Sequence, residues 1–103
     1  NFVKATMEGW KSYLADPAPG NVLIKKDNPN MSDEQLAYSV AKLKELQMVT
    51  GGDATKAGIG IITPERAKAS YDFLVETKLI DPAKVKMDEA YNTAFIKDAK
   101  VMP

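Results

Sequence analysis

SDEQLAYSVAKLKELQM, residues Ser32 to Met48, reads as a helix from its first residue onward. A serine followed three residues later by glutamine can satisfy two exposed backbone donors reciprocally, and the acidic pair Asp33 and Glu34 sits where the positive pole of a helix favours it. Leu36, Val40 and Leu43 then recur at four and three residues, which puts them on one stripe, with Ala37 and Ala41 beside it as small residues that permit close approach of a neighbour. The spacing predicts a helix from Ser32 to about Met48, ended by Gly51 and Gly52.

The same grammar extends to both sides. Phe2, Val3, Met7, Trp10 and Leu14 form another helical stripe, with Asn1 available as its cap and Trp10 expected in packing. Asp16-Pro17, Thr63-Pro64 and Asp81-Pro82 repeat one device. In each, a side-chain oxygen can accept from exposed N–H groups, while proline lacks a donor that would be orphaned in a first turn. These predict a short helix to Lys26, weakened by Gly20, a helix from Pro64 to about Lys78 with Ala67, Tyr71, Leu74 and Val75 inward, and a helical turn after Pro82. Asp27 to Asn30 reads as a turn. Gly51 to Thr63 reads as an extended loop in which Gly58 and Gly60 allow close backbone packing. Ala90, Tyr91 and Phe95 suggest a weak amphipathic continuation, and Lys97 to Pro103, without pattern, is expected to fray. The fold class is therefore mainly α, with four to five helices in an irregular array, forming one helical region over residues 1–103.

Composition bounds the chemistry. The 103 residues include 14 basic and 14 acidic side chains, no His and no Cys. Charge is balanced within each half, six against six up to Thr50 and eight against eight beyond it, so neither half offers a basic face for a phosphate backbone and no nucleic-acid partner is expected. The longest apolar run, GIGII from Gly58 to Ile62, is far below the roughly 20 residues of a membrane span. Without Cys, disulfides and thiolate metal sites are both removed, and the redox compartment is not marked.

Candidate reactive groups each have a structural explanation. Ser12, Ser32, Ser39 and Ser70 lack the histidine that usually activates a serine and fall on helix surfaces or at a cap. Asp33 with Glu34, and Asp88 with Glu89, are carboxylate pairs at helix starts, where the macrodipole alone accounts for them. Asp27, Asn28 and Asn30 have no glutamate closing a calcium loop. GGDATKAGIGI, from Gly51 to Ile61, is rich in small residues, yet its spacing fits neither a dinucleotide fingerprint nor a phosphate loop. Trp10, Tyr13, Tyr38, Tyr71, Phe73 and Tyr91 fall mostly at core spacing, which favours packing over a stacking surface. No catalytic residue, metal ligand, cofactor or ligand-binding residue is assigned.

Read as whole phrases, GWKSYLADPAPGNVLIKKDNPNMSDEQLAYSVAKLKE (Gly9 to Glu45), GIGIITPERAKASYDFLVETKLI (Gly58 to Ile80) and DEAYNTAFI (Asp88 to Ile96) resemble the C-terminal end of bacterial periplasmic solute-binding proteins. The group concerned resembles the binders of thiamine-pyrimidine precursors, nitrate and taurine that serve ABC importers. Lys78 stands where members often have glycine, and Ala67 follows Arg66 where an aromatic is common. The resemblance implies a two-lobed α/β protein that closes on a small solute by hinge bending, docks on the importer's membrane subunits and is exported to the periplasm. It implies no enzymatic activity; an enzyme of the fungal pyrimidine-synthesis type on the same fold would need a histidine from elsewhere. On this reading the chain is the C-terminal part of a longer protein, its helices bracing the outside of a lobe. An apolar stripe left uncovered would then be expected to self-associate, through Trp10, Leu36, Val40 and Leu74. The contrasting expectation is a free-standing helical interaction module that melts cooperatively as a monomer.

Overall fold

A computed structural model describes residues 1–103 and contains six helices and no strand: α1 (Phe2–Ala15), α2 (Ala18–Asp27), α3 (Asp33–Glu45), α4 (Ala54–Ala57), α5 (Pro64–Glu76) and α6 (Met87–Ala90). The mainly α expectation is met. The number exceeds four to five because α4 and α6 are single turns, and α4 lies inside what the sequence suggests is a wholly extended loop.

The starts of α2, α3 and α5 follow from their capping chemistry. Ser32 Oγ accepts from the Gln35 N–H at 3.1 Å, and Thr63 Oγ1 accepts from the Arg66 N–H at 3.2 Å. Only the serine half of the reciprocal pair is formed in α3, because Gln35 returns no side-chain bond to Ser32. Asp16 Oδ1 accepts from Ala18 N–H at 3.2 Å and Asp81 Oδ1 from Ala83 N–H at 2.9 Å, so both Asp-Pro pairs work as the sequence suggests. Asn1 supplies its carbonyl to the Ala5 N–H but no side-chain cap.

The end of α3 departs from expectation. Neither Gly51 nor Gly52 ends α3; the helix closes earlier, on Gln47 at φ 49°. The Gln47 N–H donates to Lys44 O and the Met48 N–H to Leu43 O, the paired bonds of a Schellman motif. The end of α5 repeats it. Lys78 has φ 60°, with Lys78 N–H donating to Val75 O and Leu79 N–H to Leu74 O. Lys78 thus occupies the left-handed position for which the family resemblance expects glycine. Since a side chain there costs about 1 kcal/mol, Lys78→Gly is expected to raise the unfolding free energy by about that amount in urea denaturation. A destabilised variant would show that the lysine contributes more than its backbone strain removes.

α1 and α2 meet through one aromatic residue. Tyr13 donates from its hydroxyl to Asn21 Oδ1 at 2.6 Å and meets Trp10 edge to face, with ring centroids 6.1 Å apart. A methyl group on Gly20 would lie 2.8 Å from the Tyr13 ring, so the glycine is where the ring packs. Helix propensity alone would make Gly20→Ala about 1 kcal/mol more stable. With the ring displaced, the expected result is a loss of about 1 kcal/mol in thermal or urea unfolding.

The core is small and assembled from distant parts of the chain. Met7, Ile59 and Val101 form its centre, flanked by Val3, Val49, Ile96 and Ala99. Lys97 to Pro103 therefore does not simply fray: Val101 is buried, and its carbonyl accepts from Ile59 N–H at 2.8 Å. One docked residue leaves no periodic signature. Gly58 and Gly60 do allow close approach. A Cβ on Gly58 would meet the Lys100–Val101 backbone at 3.0–3.2 Å, and one on Gly60 would lie 2.8 Å from Met7 Cε.

Elsewhere the helices are loosely gathered. No two of them pack along their lengths, and the radius of gyration is 16.7 Å, against about 13 Å for a compact domain of this length. The accessible surface is 7767 Å², whereas a folded monomer of this mass exposes roughly 5,700 Å². Leu36 and Val40 are buried, but Ala37 and Ala41 are exposed and receive no neighbour. In α5 the predicted inner residues Ala67, Tyr71, Leu74 and Val75 are only half-buried. α2 buries nothing, and Phe95, expected in an amphipathic segment, is 74% exposed in a turn.

Candidate functional site

The largest concavity is an open groove of about 660 Å³ between α1, the connection from Met48 to Ala54, the segment Ile59–Ile62 and the first turns of α5. Its position follows from local chemistry. The Thr63 cap fixes where α5 starts, and so where Arg66, Ala67 and Ser70 stand on its first two turns. The Ile59–Val101 bond and the glycines on either side hold Ile59, Ile61 and Ile62 opposite them. Trp10 enters from α1 and is 41% exposed. It is therefore a groove wall rather than the core residue its spacing suggests, because the space between it and the first turns of α5 is left open.

Four side chains bring polar groups to the groove: Arg66 and Asp53, which pair, with Ser70 and Trp10. Arg66 Nε donates to Asp53 Oδ2 at 3.2 Å, and both side chains are largely solvated, so the pair contributes about 0–1 kcal/mol to stability. The contact is single, so the four N–H groups on the outer nitrogens of the guanidinium have no protein acceptor. Ser70 Oγ and the Trp10 indole N–H likewise make no hydrogen bond within the protein. Arg66 and Asp53 escape sequence reading. They are 13 residues apart, follow no motif, and are joined only because the α4 turn folds back toward the start of α5.

The small-residue loop itself is not built to hold a phosphate. The N–H groups of Ala54, Thr55, Lys56, Ala57, Gly58, Ile59 and Ile61 all donate to carbonyls within the chain, so no more than two adjacent donors remain free for an anion to collect.

The other candidates stay apart. Ser32 caps α3, Ser39 Oγ donates back to Gln35 O at 2.9 Å, and Ser12 is exposed on α1; none bonds to a lysine. Asp33 binds Lys25 Nζ at 2.8 Å across the α2–α3 turn, and Asp88 and Glu89 occupy the first turn of α6. No set of three or more acidic side chains gathers as a cation site. The aromatics do not form one surface, nor are they core: Tyr38 and Phe73 are exposed, while Tyr71 donates to Val85 O at 2.7 Å and shares with Tyr91 a smaller apolar groove between α5 and α6.

No helix is long and apolar enough to cross a membrane. The chain matches no family model, no curated protein and no solved structure.

Proposed function

We propose that this chain is a helical bracing region of the solute-binding component of an ABC import system, built to lean against a larger α/β body. One observation carries the reading. Apolar side chains on several helices face solvent with nothing of this chain across from them: Phe2 is 84% exposed, Val22 and Leu23 on α2 are mostly exposed, and so are Leu46, Phe73 and Leu79. Single exposed apolar residues are ordinary, but so many on an array this open are what helices look like when their covering layer is another part of the protein. The order of the phrases from Gly9 to Ile96 supports the identity of that body, and the lack of gathered reactive side chains suits a bracing role. Solute and importer contacts then belong to the larger protein, and the region performs no catalysis. Self-association, if the region is isolated, runs through these exposed side chains rather than through Leu36 and Val40, which the chain buries within itself.

Fractionating the cells that make the protein tests the proposal. An antibody to this region is expected to detect, in osmotic-shock fluid, a product large enough to hold two α/β lobes, and disruption of its gene is expected to abolish uptake of one small solute. Recovery of the product from the cytosol would favour a free-standing interaction module instead.

A further inference from the structure

We infer that the groove beside Trp10 is a binding site for a small organic monocarboxylate with an apolar body. The inference is independent of the transport reading. A volume of about 660 Å³ lies within the range of small-molecule sites, which are mostly apolar with a few placed polar groups. Here Ile59, Ile61 and Ile62 supply the apolar floor and Trp10 a flat wall. The chemistry of the polar edge selects the ligand. Arg66 spends only Nε on Asp53, and its outer edge presents two parallel N–H groups, the geometry that a carboxylate fills with two charge-assisted bonds. Nη2 also stands 3.7 Å from where a side chain on Gly52 would begin, so the glycine leaves the approach to the guanidinium clear. The unused donors of Ser70 and Trp10 lie on the same rim. Among the side chains a cation would find only Asp53, already engaged, and a neutral apolar molecule would leave the guanidinium edge unfilled.

Because Trp10 is the only tryptophan and lines the groove, its emission reports occupancy directly. Titration of the 103-residue chain with 4-phenylbutyrate is expected to change that emission saturably, while the neutral 4-phenyl-1-butanol binds about tenfold more weakly. Arg66→Gln removes an exposed side chain and should keep its helical circular dichroism; its affinity for the carboxylate is expected to fall to that for the alcohol. Asp53→Asn, which frees Arg66 from its competing partner, is expected to bind the carboxylate several-fold more tightly, and gives an answer even if Arg66→Gln does not fold. No saturation below about 10 mM, equal binding of acid and alcohol, or weaker binding by Asp53→Asn would each overturn the inference.

Discussion

Gly58→Ala is expected to lower the unfolding free energy by about 3 kcal/mol. Two costs coincide at this position. Gly58 has φ 103° and ψ 160°, a backbone region open almost only to glycine, where another residue costs about 1–3 kcal/mol. The added methyl would also stand 3.0 Å from Val101 N and 3.1 Å from Lys100 Cα, and a backbone cannot swing aside as a flexible side chain can. Relief requires the Lys97–Pro103 segment to move, which breaks the Ile59–Val101 hydrogen bond and lifts Val101 from the core. Chemical denaturation measures the total, and limited proteolysis separates the parts: the variant is expected to be cleaved after Lys97 or Lys100 faster than the parent. Unchanged stability together with an uncut tail would show that the tail does not rest on Gly58.

Met7→Ala is expected to cost about 3 kcal/mol, within the usual range for truncating a buried methionine. Met7 is 6% exposed and lies at the centre of the only cluster joining α1, the glycine-rich segment and the tail. There is little other core to compensate. The side chain also explains a neighbour, since a Cβ at Gly60 would fall 2.8 Å from Met7 Cε and 3.2 Å from Cγ. Gly60→Ala is strained in its own right, at φ 79°, but part of its cost is contact with Met7. In a double-mutant cycle the pair is therefore expected to be less destabilised than the sum of the single variants, by about 1 kcal/mol. Strict additivity would remove the contact from the explanation.

These two residues show what the sequence made legible. The starts of α2, α3 and α5 are legible because capping is local: Asp16, Ser32 and Thr63 each act within three residues of themselves, as Asp81 does at its turn. Met7 and Leu14 were readable as buried from their spacing, and so were Leu36 and Val40. The end of α3 is not legible, because Gln47 accepts a left-handed backbone that composition assigns to glycine, whereas α5 ends near Lys78 as its spacing predicts. The exposure of Trp10, Phe2 and Phe95 is not legible, because periodicity identifies an apolar face without saying whether anything in the same chain covers it. Val101 left no pattern, being a single residue held by one backbone bond and one patch of contact. Of the groove, the loop glycines and Ser70 drew notice in the sequence, but Arg66 with Asp53 did not, since a lone ion pair between distant positions is a product of tertiary geometry.

The arrangement of the core has a kinetic consequence. Met7, Ile59 and Val101 come from three widely separated places, so the centre closes only by joining long loops whose ordering entropy must be lost before any burial rewards it. Local helical turns can form and dissolve in about a microsecond or less, but the nucleus that makes them a single cooperative body has high contact order for an all-helical chain. Folding should thus be slow compared with helix formation, and the Ile59 amide, locked to Val101, should be the clock that records it.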